Sequence, residues 1–185
     1  NDSLETDAAY TGTKTISYSG PGGSPIYTTS VNFTAGQATL VSTTLKKAET
    51  TTISATDGVL TGVPSSSLTV SPGVFTKLQV LAPGETAATG TGTGKTGTPT
   101  VQDGLPFNVT VNAVDANWNL LSSAPTDSIQ IDTSDPADTE PADNTLSSGT
   151  RGFSITAVTP GNLTVTATDT SNLGITPGTS SSITV

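Results

Sequence analysis

Phe107-Asn108-Val109-Thr110-Val111-Asn112-Ala113-Val114 is the stretch that decides the fold class. Its apolar side chains fall on every second residue, with Asn and Thr between them, which is the period of a strand with one buried face. The same period runs outward both ways. Upstream it recurs in Thr13-Lys14-Thr15-Ile16-Ser17-Tyr18, Ser30-Val31-Asn32-Phe33, Thr52-Ile53-Ser54-Ala55, Leu68-Thr69-Val70 and Thr76-Lys77-Leu78-Gln79-Val80. Downstream it recurs in Ser128-Ile129-Gln130-Ile131, Phe153-Ser154-Ile155, Leu163-Thr164-Val165-Thr166-Ala167 and Ser182-Ile183-Thr184-Val185. Clusters of Gly, Pro, Asn and Asp between these runs supply turns, and no segment holds a helical period of useful length. The chain is expected to be all-β and built of sandwiches.

Composition narrows the chemistry. The 185 residues include no Cys, Met or His, 4% are aromatic and the net charge is −9. Without His or Cys there is no Ser-His-Asp triad, thiol nucleophile or zinc finger, and no enzyme activity is expected. The acidic balance argues against nucleic acid, whose phosphates need a basic stripe. Membrane insertion is not expected, because no apolar run reaches the roughly 18–20 residues of a spanning helix. Roughly one residue in three is Ser or Thr, far above average usage, which suits the outward face of exposed strands.

An internal repeat sets the domain organisation. Ser54-Ala55-Thr56-Asp57 returns as Thr166-Ala167-Thr168-Asp169, 112 residues later. Ser65-Ser66-Ser67-Leu68-Thr69-Val70 returns as Ser180-Ser181-Ser182-Ile183-Thr184-Val185, 115 residues later. Tandem modules of about 110 residues, the size of an immunoglobulin-like sandwich, are expected. Ser71-Pro72-Gly73 is the joint, giving a complete module at 72–185 and a partial one at 1–71 that lacks its first two strands. Nothing upstream matches Val74 to Asp115. Either the chain is a piece of a longer array, or another chain supplies the strands by complementation.

The stretch from Phe107 to Asn119, with Tyr10-Thr11-Gly12-Thr13-Lys14-Thr15-Ile16, Asn32-Phe33-Thr34-Ala35-Gly36 and the repeated Ala-Thr-Asp, resembles the bacterial Ig-like repeats of large secreted and surface proteins, of invasin/intimin and filamin-like type. That resemblance implies an extracellular or cell-surface structural protein: a stalk, a surface layer or a filament subunit. Its partners would be neighbouring modules or identical subunits. The alternatives are an adhesive or carbohydrate-binding module and an accessory domain of a secreted enzyme.

A few residues are candidates for more than architecture. Asp115-Ala116-Asn117-Trp118-Asn119 has oxygen ligands at a spacing that could hold calcium, the one cofactor considered. The competing reading is a turn in which Asp115, Asn117 and Asn119 bond the local backbone. Trp118 at its tip could stack on a sugar ring or pack against its own module. Asp127, Asp132, Asp135, Asp138, Glu140 and Asp143 crowd one region, as a cation site, a docking face or a solvated loop. Gly84 to Pro99 imitates a phosphate loop but has Thr89 where the motif needs Gly, and is expected to be a flexible loop interrupting the second module's first strand. Sequons at Asn1, Asn32, Asn108 and Asn162 could carry glycans.

Overall fold

The computed structural model describes residues 7–39, 41–123 and 126–185. Every regular element among them is a β-strand, as the alternation requires. The chain divides into two compact units, Asn1–Ser71 and Pro72–Val185.

Unit 1 is a set of short antiparallel pairs. Strand β1 (Gly12–Thr15) runs into β2 (Ser17–Ser19), and the two pair with β4 (Ser30–Phe33) and β7 (Ser54–Thr56) respectively. Strand β3 (Ile26–Tyr27) pairs with β5 (Thr43–Thr44), and β6 (Glu49–Thr51) with β8 (Leu68–Val70). Among its described residues, only Ile16 and Val31 are apolar and buried, at 7% and 4% exposed.

Unit 2 is a two-sheet sandwich. Strand β9 (Lys77–Leu81) starts it, and a hairpin of β10 (Glu85–Ala87) and β11 (Lys95–Gly97) follows. Strands β12 (Pro106–Val114) and β15 (Thr150–Thr156) complete the first sheet, in the order β15-β12-β9. The second sheet is β14 (Asn144–Thr145), β13 (Ser128–Thr133), β17 (Val165–Asp169) and β18 (Gly178–Thr179), in that order. Strand β16 (Asn162–Leu163) pairs with β19 (Ile183–Thr184), prolonging the β17–β18 ribbon past an irregularity at Ser180. Three strands facing four is the immunoglobulin-like arrangement. The ends of the unit also meet in parallel, with bridges at Lys77–Thr176 and Thr100–Thr184.

The alternation becomes a core here. Val109, Val111, Ile129, Val165, Ala167 and Ile183 are completely buried, with Leu78, Val80 and Ile155 nearly so. Each Val, Leu or Ile among them contributes about 1.5–3 kcal/mol over its exposed state.

The flexible-loop expectation for Gly84 to Pro99 is corrected by the structure. The segment is a hydrogen-bonded hairpin anchored at both stems. Lys95 Nζ donates to the Val80 carbonyl at 3.1 Å and the Thr179 carbonyl at 3.3 Å, and lies 3.4 Å from Glu85, whose side chain is 1% exposed. Glu85 in turn accepts from the Ala82 amide and the Ser181 hydroxyl. One glycine of the stretch that imitated a phosphate loop has a packing cause: Gly94 sits at φ +75°, where a Cβ would strike the Trp118 ring.

Candidate functional sites

The repeat makes the two units comparable residue by residue. In unit 2, the Val165 amide donates to Ser180 Oγ at 2.9 Å, and the Ser180 amide donates to the Val165 carbonyl at 2.8 Å. In unit 1, Ile53 and Ser65 exchange the same two bonds, both at 2.9 Å. Strand registers extend the match. Ser17 lies opposite Thr56 as Gln130 lies opposite Thr168, so Ile16, Tyr18 and Ala55 correspond to Ile129, Ile131 and Ala167.

Those equivalent positions have different fates. In unit 2 the three residues are sealed in one core with Leu78 and Val80 of β9 and Val109 and Val111 of β12. In unit 1 they line an open groove of about 410 Å³, with Tyr10, Val31 and Phe33 beside them. None of the described residues of unit 1 stands where β9 and β12 stand in unit 2. Ring contacts partly compensate: Tyr10 meets Phe33 edge-on at 4.9 Å, and Tyr18 stacks on Tyr27 at 4.6 Å. Leu60, at the groove, is 58% exposed.

In unit 2 the turn after β12 brings Asp115, Asn117, Trp118 and Asn119 together around one carboxylate. Asp115 Oδ1 accepts from the amides of Asn117 at 2.8 Å and Asn119 at 3.0 Å. Its Oδ2 accepts from the Gly73 amide at 2.7 Å and from Asn119 Nδ2 at 2.9 Å. Burial pushes the Asp115 pKa up, but the bonds from Asn119, Gly73 and Asn117 outweigh it and hold the group below the usual carboxylate range. Both oxygens are turned to N–H groups, whose positive ends compete with any cation for the same lone pairs. The geometry fits a cap that closes the turn and fixes the Gly73 backbone better than it fits a calcium loop.

Trp118 occupies this turn at φ +67°, a conformation a bulky residue rarely adopts. Lys77 Nζ lies 3.4 Å from the ring centroid while donating to the Ala116 carbonyl. Trp118 Nε1 reaches the Gly92 carbonyl at 3.4 Å, and the Gly90 amide donates to Asn117. The half-buried ring is thus wedged between Lys77 and the hairpin tip. Burial lowers the pKa of Lys77, and the charge of Asp115 acts the other way.

The acidic run does not converge on one point. Glu140 accepts from the Thr133 amide, Asp135 from Ala137 and Asp138 from Val158, so these side chains brace backbone of this loop and of the segments beside it. A hydrogen bond from Thr159, then one from Ala137, lower the pKa of Asp135. Asp132 and Asp143 are exposed. Among the described residues, no three acidic groups gather as a metal site. Asn32, Asn108 and Asn162 are exposed on strands, and Asn1 lies outside the described residues.

No family model matches the chain, and no curated protein matches it. Solved structures do. The D0-D1 domain of intimin is similar at 14% identity over 95% of this chain and 83% of that one, with a TM-score of 0.37. Domains 4 and 5 of the S-layer protein SbsC are similar at 14% identity over 83% of this chain and 86% of that one, also at 0.37. A glycosyl hydrolase family 2 member from Bacteroides cellulosilyticus DSM 14838 is similar at 12% identity over 95% of this chain, with a TM-score of 0.48. The chain spans only 25% of that hydrolase's length. The structures similar to this chain therefore include intimin and S-layer domains, the company that the sequence resemblance led us to expect.

Proposed function

We propose that this is a structural protein of the cell exterior, an array of Ig-like modules in which unit 1 is completed by a strand from a neighbouring subunit. The observation that carries this reading is the groove of Ile16, Tyr18, Val31 and Ala55, whose equivalents in unit 2 are sealed by β9 and β12. Ile16 and Val31 are covered, but Tyr18 and Ala55 stay half-buried and Leu60 exposed, so this face forgoes burial that unit 2 obtains, and it offers unpaired strand edges to another chain. The occupant that fits is a strand alternating like Phe107–Val111, with apolar residues facing the groove. Trp118 takes a packing role in this reading and Asp115 a capping role. No catalytic residue is assigned.

The test is sedimentation of the 185-residue chain over a wide concentration range, beside variants carrying Val31→Asp or Leu60→Asp. Strand exchange predicts assemblies that survive high salt and mild denaturant and that either substitution disperses. A chain that stays monomeric while both units unfold cooperatively would exclude exchange between chains.

A further inference from the structure

The repeated Ala-Thr-Asp places one carboxylate at the same point of each unit. Asp57 Oδ1 caps the amides of Val59 at 2.9 Å and Leu60 at 2.7 Å. Asp169 Oδ1 does the same for Ser171 at 2.9 Å and Asn172 at 2.8 Å. The second oxygen is where the units part. In unit 1, Asp57 Oδ2 accepts a 2.6 Å bond from the Tyr10 hydroxyl, and Lys14 adds a favourable charge nearby. In unit 2, Asp169 is 1% exposed, and its Oδ2 is buried with no hydrogen-bond partner.

What unit 2 puts beside that carboxylate is another acid. Thr15 opposite Ser30 corresponds to Ser128 opposite Thr145, so the position of Lys14 is taken by Asp127. Ile129 lies directly across from Asp169, which makes Asp127 its diagonal neighbour on the same face. Burial first, then a side-chain hydrogen bond and the charge of Asp169, raise the pKa of Asp127. Neither acid belongs to an ion pair: among the described residues Lys95 pairs with Glu85, Lys77 is held at Trp118, and Arg151 sits on β15 of the opposite sheet. Residues 72–185 contain no tyrosine to play the part of Tyr10.

A buried carboxylate oxygen without a donor, on a residue whose cross-strand diagonal neighbour is a second acid, calls for a positive charge. We propose that Asp127 and Asp169 form a binding site for a hard divalent cation of the calcium type. The free Oδ2 of Asp169 supplies one rigid ligand from the sheet, the half-buried Asp127 supplies the other from the rim, and water completes the shell of 6–8 oxygens that calcium takes. With so few protein ligands, affinity falls in the class of extracellular modules, about 10⁻⁴–10⁻³ M. The site is separate from the Asp115 turn and does not depend on how unit 1 is completed.

The single Trp lies in unit 2, so its fluorescence reads the melting of that unit in the intact chain. The experiment is a melt at neutral pH with CaCl₂ raised to about 10 mM, well above that affinity class, against NaCl of equal ionic strength. A rise of several degrees with calcium alone is expected, together with saturable heat in a calcium titration. Asp127→Asn should keep a calcium-free midpoint at or above that of the parent and abolish the response, whereas Asp115→Asn, though less stable, should retain it. No calcium-specific shift, or a shift that survives Asp127→Asn, overturns the proposal. A midpoint that rises only on acidification would assign the pair to a shared proton instead.

Discussion

Units 1 and 2 share their hydrogen bonds and differ in their cores. The exchange between Ile53 and Ser65 is repeated, bond for bond, between Val165 and Ser180. The Asp cap after the Ala-Thr step is repeated as well. Yet Ile129 is 0% exposed within a continuous core, whereas its equivalent Ile16, 7% exposed, borders an open groove. Local polar bonding can therefore be copied from module to module without the burial that normally accompanies it. A sheet needs its ladder to have a shape, and it needs the facing sheet to be stable on its own.

The sharpest way to break this comparison is to truncate the same side chain in both units. Ile129→Ala should cost about 2–5 kcal/mol in the Trp-reported unfolding of unit 2, the range for a sealed aliphatic residue. Ile16→Ala should cost less than half as much in unit 1, because the groove already lacks one wall. Equal losses in chemical denaturation would mean that unit 1 has a closed core in solution.

Trp118→Ala should cost unit 2 about 1–3 kcal/mol, since a half-buried ring loses its contacts with Lys77 and the hairpin while the strained backbone relaxes. Gly94→Ala should give a loss of the same order by pushing the hairpin off the ring. Glycan binding that disappears in Trp118→Ala with no change in melting would reassign the ring to recognition.

Smaller effects should separate the two serines. Ser180→Ala leaves the Val165 amide without its acceptor in a buried setting and should cost about 1–3 kcal/mol. Ser65→Ala, at an exposed site, should cost about 0.5 kcal/mol or less, because water replaces the hydroxyl.

The smallest effect expected is in acid. The Tyr10 hydroxyl first, then the Leu60 and Val59 amides, lower the pKa of Asp57 to about 2 from an ordinary 3.8. A depressed carboxylate contributes stability that is complete above its unfolded value and disappears as pH falls through the folded one. Unit 1 should lose this contribution between about pH 4 and pH 2, and Tyr10→Phe should move the loss to higher pH in an acid titration followed by circular dichroism. Asp127 runs the opposite way: its raised pKa means that the cation-free unit 2 loses stability as pH rises through it.

The all-β class was legible because alternation leaves a mark on nearly every strand, from Ser30–Phe33 to Leu163–Ala167. The repeat was legible too, down to the serines whose hydroxyls and amides reappear in the same bonds. What escaped the sequence depends on distant segments meeting. Gly90, Gly92 and Gly94 look like freedom in one dimension; in three, Gly94 is room for Trp118. The only local hint was Glu85 and Lys95 framing them with opposite charges. Asp127 and Asp169 are 42 residues apart, and only the register of β13 against β17 brings them together.

The parallel contact between the first and last segments of unit 2 has a mechanical consequence. The Leu78 amide donates to Thr176, Thr176 donates to Thr76, and the Val101 amide donates to Thr184. Traction on the two ends of this module would slide these segments past each other and load the three bonds in parallel, with the Glu85–Lys95 latch spanning the same seam. Bonds sheared together give way as a group, whereas bonds peeled from one end fail in turn. Resistance of this kind is set by an unfolding rate rather than by equilibrium stability, so a module with a modest melting point could still be a stiff link in a chain under tension.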